Sequence, residues 1–138
     1  MRGVLVERQN QDAIGSSVFN HLGNPQAGFP QQLVDLANAL ASQLPDIAPD
    51  AVVIRSIDRT PNRREEFVQK RYSVDGVLLA TARRTIARTI SLNGRLVAQR
   101  CGGSKEEIEA RAMALLDNES LKEATAAGLA ALLLAEAD

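Results

Sequence analysis

Apolar residues recur at two spacings along this chain, and the change between them outlines its elements. Val4-Leu5-Val6 centres a strand predicted over residues 2–8. The polar run Gln9-Asn10-Gln11-Asp12 turns it through a connection longer than a two-residue hairpin, and residues 14–19 return as a second strand. Residues 21–28 form a loop carrying Gly23, Asn24, Pro25 and Gly28. From Pro30 the spacing becomes helical: Leu33, Leu36, Ala37, Leu40, Ala41 and Leu44 make one stripe, with Pro30 in the first turn and Pro45 as the stop. Pro49-Asp50 then feeds Ala51-Val52-Val53-Ile54, a short apolar run of the kind that forms a strand buried on both faces. A helix before it and a helical stretch after it place this strand inside a helix-covered sheet.

Asn62, after an Asp58-to-Asn62 loop, suits the cap of a helix over 63–86, one helix or two shorter ones because Ser73 and Gly76 weaken its middle. Residues 89–98 regain strand character around Asn93-Gly94, either as a tight hairpin or as one strand with a turn. Cys101-Gly102-Gly103 reads as a flexible loop. Ser104 to Glu107 and Ser120 to Glu123 are two capping boxes, each opening a helix. Ala124, Ala127, Gly128, Ala131 and Ala135 give the last helix a close-packing face, and Leu129, Leu132 and Leu133 fill the core.

At 138 residues the chain suits one domain. Only four residues are aromatic, so the core must be aliphatic. The single cysteine, Cys101, excludes an internal disulfide and reads as an idle thiol in a reducing compartment. His21, the one histidine, falls in a loop and is not expected to be catalytic. No apolar run reaches the ~20 residues a membrane span needs, and no signal-like segment opens the chain, which points to the cytoplasm. The net charge of −1 conceals segregation: −3 over residues 1–54, +8 over 55–105 and −6 over 106–138. Such asymmetry suggests polyanion binding by the middle third, against a plainly solvated surface whose charges pair with neighbours.

In their order and spacing these segments resemble the RuvC-type Holliday-junction resolvases of the ribonuclease H-like superfamily. Pro49 to Ile54 resembles the family segment that ends in a catalytic Glu. Asp75-Gly76-Val77-Leu78-Leu79-Ala80 resembles its Arg-Gly-Val helix, with Asp75 in place of the Arg. Gly102-Gly103-Ser104-Lys105-Glu106-Glu107-Ile108 resembles its Gly-rich loop and Lys, and Ala124 to Ala130 its closing helix. The resemblance implies an α/β fold with a ribonuclease H-like mixed sheet flanked by helices and a shortened N-terminal strand set. It also implies where four carboxylates would hold two Mg²⁺ ions.

Against that pattern, Arg55 replaces the strand-end Glu, Ala124 and Ala127 replace the Asp pair, and Asp58 replaces a stacking aromatic. The first predicted strand either puts Glu7 in the metal position or is the family's second strand, with the catalytic one missing; the short run before Pro30 favours the second register. The expectation is a domain with no catalytic, metal or cofactor site. It would bind DNA or RNA through phosphate contacts of Lys105, Arg100, Arg55, Arg59, Arg63 and Arg64, or act as a scaffold. Lys105 opens a helix, where free amides favour phosphate. A homodimer is expected from surplus apolar residues in the 63–86 helix, among them Phe67, Tyr72 and Val77. The rivals are a protein-interaction module without nucleic-acid binding, and a residual nuclease built on Glu7, Asp58 and Glu123.

Overall fold

Asn10 and Gln11 both adopt positive φ, 50° and 77°. Two left-handed residues in a row are what a two-residue hairpin turn requires. They join β1 (Arg2–Gln9) antiparallel to β2 (Asp12–Asn20), so the connection is shorter than the polar run implied. The computed structural model describes residues 1–58 and 62–137. Helix α1 (Phe29–Ile47) buries Leu36, Leu40 and Leu44 as its spacing demands. Pro45 does not stop it. A proline so near the end gives up one hydrogen bond, and the helix runs on until Ala48 turns left-handed with its N–H on the Leu44 carbonyl.

Strands β3 (Val52–Arg55) and β4 (Thr89–Leu92) pair in parallel, and parallel strands need a crossover. That crossover is α2 (Glu65–Arg83), one helix that passes through Ser73 and Gly76 unbroken. It starts after Arg64, so Asn62 is not its cap. The Asn93-Gly94 pair begins a helix rather than a hairpin. Asn93 caps α3 (Gly94–Cys101), its Oδ1 accepting the Leu96 N–H at 2.9 Å, because Val97, Ala98 and Cys101 carry helical spacing. Gly102, at φ 78°, ends α3 in the left-handed region that glycine tolerates best. Ser104 caps α4 (Lys105–Leu115) through the Glu107 N–H. The second capping box does not form. Asn118 caps a 3₁₀ turn at Glu119–Leu121, while Ser120 donates to Asn118 Oδ1 and accepts from Arg2; α5 (Lys122–Glu136) follows without a side-chain cap.

The two strand pairs lie between two helical layers. On one side Leu36, Leu40 and Leu44 of α1 meet Leu78 and Ala82 of α2, Ile54 and Phe19. On the other, Val6, Leu92 and Ile108 meet Ala126, Ala127, Leu129 and Ala130 of α5. Strand alternation assigns the β3 side chains: Val52 and Ile54 face α1 and α2, while Val53 faces α5. Helix α5 packs on both β1 and β3. Gly128 makes the β1 approach possible, since a Cβ there would lie 2.6 Å from Val6 Cγ2. At one end of α5, Arg2 reaches Ser120; at the other, Arg8 pairs with Glu136 at 2.8 Å. Arg55 lies 3.7 Å from Glu123, so β1 and β3 run in opposite directions. Arg88 closes the far end of α5 by donating to the carbonyls of Leu134, Ala135 and Ala137. Among the described residues no helix is long and apolar enough to cross a membrane.

Candidate nucleic-acid interface

The C-terminal end of β3 meets the first turns of α3, α4 and α5, and a charged cluster fills the junction. Arg55, whose side chain is only 11% exposed, donates from Nη2 to Asp58 Oδ2 at 2.9 Å and also bonds the Ser56 carbonyl. Glu123 Oε1 stands 3.7 Å from the same nitrogen. Asp58 is the hub. Its Oδ1 accepts the Gly94 N–H at 2.8 Å, and Lys105 Nζ lies 3.6 Å from its Oδ2. Burial works against the charged form of Asp58, but the Gly94 N–H, Arg55 and Lys105 outweigh it and hold the carboxyl below its usual range. Gly94 leaves room for this cluster, since a Cβ there would collide with the Arg55 guanidinium and lie 2.9 Å from Asp58 Oδ2. Arg71 ties α2 to the same strand end, donating to the Arg55 carbonyl and to buried Asp75.

Of the cations marked out in the sequence, the structure brings Arg55 and Lys105 to one carboxylate. Arg100 is exposed in the last turn of α3, and Arg63 and Arg64 are exposed in the approach to α2, with Arg63 stacked over Phe67. Arg59 lies outside the described residues. Much of the basic third is engaged within the molecule. Arg88 caps α5, Arg83 reaches the Thr89 carbonyl, Lys70 pairs with Glu66 and Arg71 with Asp75. Burial pushes the Cys101 thiol up, against the pull of Arg111 and Arg100, so it is a poor nucleophile.

Solved structures share this fold. RuvC from Thermus thermophilus superposes with a TM-score of 0.69 at 18% identity, over 96% of this chain and 86% of that one. The T. thermophilus RuvC in complex with Holliday junction substrate gives 0.64 at 17% identity, over 97% and 95%. The fold is RuvC-like. No family model and no curated protein matches the chain. Within this ribonuclease H-like mixed α/β fold, β1 is antiparallel to β3, and Glu7 sits toward the Arg8–Glu136 end of its strand. Five residues of strand, about 17 Å, separate Glu7 from Arg2, whose end of β1 lies by Ser120. The trio Glu7, Asp58 and Glu123 therefore does not converge. What the sequence reading missed was the hub. Asp58 looked like a loop residue, and its one legible signal was the three-residue spacing from Arg55 that allows an ion pair; Gly94 carried none.

Proposed function

We propose that this RuvC-like domain engages nucleic-acid phosphates without cleaving them. The observation that carries the reading is the Arg55 guanidinium, which at the end of β3 lies within ion-pair distance of both Asp58 and Glu123. The divalent cations that the fold's relatives imply would need open carboxylate oxygens. Here both Asp58 oxygens are engaged by Gly94, Arg55 and Lys105, and Glu123 faces the same guanidinium. These residues do not fit a divalent cation. Binding falls to the exposed cations Lys105, Arg100, Arg63 and Arg64, with Arg59 as a further candidate. Support comes from the junction DNA held by one of the RuvC structures that share this fold. The domain would work as a cytoplasmic homodimer.

The test is a binding titration on duplex and junction DNA at increasing salt, with Mg²⁺ or Mn²⁺ added to score cleavage. Three or four phosphate contacts give a log–log slope of about −3 to −4, with little sequence preference. Lys105→Glu weakens every sequence alike. Metal-dependent cleavage, or binding untouched by Lys105→Glu, would sink the reading. The rival, a protein-interaction module, is favoured by the number of basic side chains already paired inside the molecule. It gains if no duplex, junction or single strand binds at low salt.

A further inference from the structure

Strands β1 and β3 pack on the same helix, α5, yet each belongs to a separate two-stranded sheet and they do not pair with each other. Between them lies a cavity of about 850 Å³. One wall is α1 and α2, through Leu40, Leu44 and Leu78; the opposite wall is the small-residue face of α5, Ala124, Ala131 and Ala135. The amides of Val52 and Ser56 bond the carbonyls of Arg88 and Leu92. In a parallel ladder the alternate amides, Val53 and Arg55, must then face the other way, into the cavity. The free edge of β1 closes the opposite side. Two unpaired strand edges facing each other across largely apolar walls present rows of backbone donors and acceptors that a further extended strand would pair on both sides.

We propose that this slot accepts a strand from a partner polypeptide, which joins the two strand pairs into one sheet. The strand runs parallel to β3 and antiparallel to β1. Both its faces are covered, so about five consecutive aliphatic residues fit rather than an alternating pattern. The charges at the two mouths set its direction. Arg2, Arg55 and Arg71 against Glu123 line the mouth at the Arg55 end, and Glu7, Asp50 and Glu136 against Arg8 line the other. The incoming segment is therefore basic at its N-terminal end and acidic at its C-terminal end. The apolar walls rule against a polyanion here. A second copy of the chain offers no unpaired strand among the described residues.

The probe is a fluorescein-labelled peptide, acetyl-Lys-Val-Ile-Val-Leu-Val-Glu-amide, read by anisotropy against the full chain. Its partners are the same peptide N-methylated at alternate residues and the peptide with Lys and Glu exchanged. The expected result is saturable binding that falls at least tenfold on N-methylation and several-fold on charge exchange. Ala131→Phe, which fills the slot from α5, should abolish it while circular dichroism stays native. If that variant does not fold, the N-methylated peptide decides alone, because it keeps the apolar surface and removes only the backbone hydrogen bonds. No binding, or equal binding of the N-methylated peptide, overturns the proposal. So does self-association that Ala131→Phe removes, since the occupant would then be a second copy.

Discussion

Asp58 decides the chemistry of the β3 end. A carboxylate that receives an amide, a guanidinium and an ammonium fixes three elements with one side chain. Asp58→Asn should lower stability by roughly 1–3 kcal/mol, as loss of charged hydrogen bonds does, measured by urea unfolding at neutral pH. The pH dependence has a definite sign. Because the folded state holds this carboxyl below its ordinary value, its contribution is complete above the unfolded value. It is lost as pH falls through the lower, folded one. Stability should therefore drop on acidification, and more gently in Asp58→Asn, whose side chain takes up no proton. An acid limb identical in the two proteins would remove Asp58 from this role. Arg55→Glu leaves Asp58 and Glu123 facing a third acid, so it should destabilise the strand end without creating metal-dependent cleavage.

At the scale of elements, two glycines set how closely the pieces approach. Gly94 lets α3 begin against the Arg55 guanidinium. Gly94→Ala should swing that side chain away and cost about 1–3 kcal/mol, an overpacking penalty. The guanidinium is the movable part, so the same change should cost clearly less in an Arg55→Ala background. A double-mutant cycle measures this, and additive losses would mean that Gly94 acts through something other than Arg55. Gly128 brings α5 down onto Val6, where a leucine would push helix and strand apart. Gly128→Leu should destabilise by a similar amount, about 1–3 kcal/mol by thermal unfolding, since the nearest atom opposite is Cγ2 of the stiff, β-branched Val6 rather than the end of a flexible side chain. Much at this scale was legible. The leucine stripe of α1, the apolar β3 run and the Ser104 cap all stand as the sequence implied.

For the whole molecule, the open matter is what covers its remaining apolar surface. Leu78 is buried and Val74 half-buried inside the chain's own core, so the surplus expected on α2 comes down chiefly to Phe67 and Tyr72, 49% and 42% exposed. A twofold mate across α2 is the simplest cover. Light scattering at micromolar concentration should give a dimer mass, and Phe67→Arg should shift it toward monomer; a monomer at all concentrations ends that idea. The basic third behaves differently from what its +8 charge implied. Arg55, Arg71, Arg83 and Arg88 hold strand ends and helix ends together, which leaves fewer cations to meet a polyanion.

Most element types, the strand character read beyond Leu92 excepted, came from the sequence by itself, because periodicity and caps are local: apolar spacing, Ser104 and the Pro-Asp turn need no distant partner. So did the absence of carboxylates at Arg55, Ala124 and Ala127, which is a matter of residue identity. Elsewhere tertiary structure overrode the local signal. Asn93-Gly94 became a helix start because Val97 and Ala98 found a core against α5. Ser120 turned to Asn118 and Arg2 instead of capping α5. Only the fold could bring Asp58 to Gly94, 36 residues on, or reveal that β1 runs opposite to β3. Such pairings depend on chain direction and long-range packing, neither of which leaves a mark on neighbouring residues.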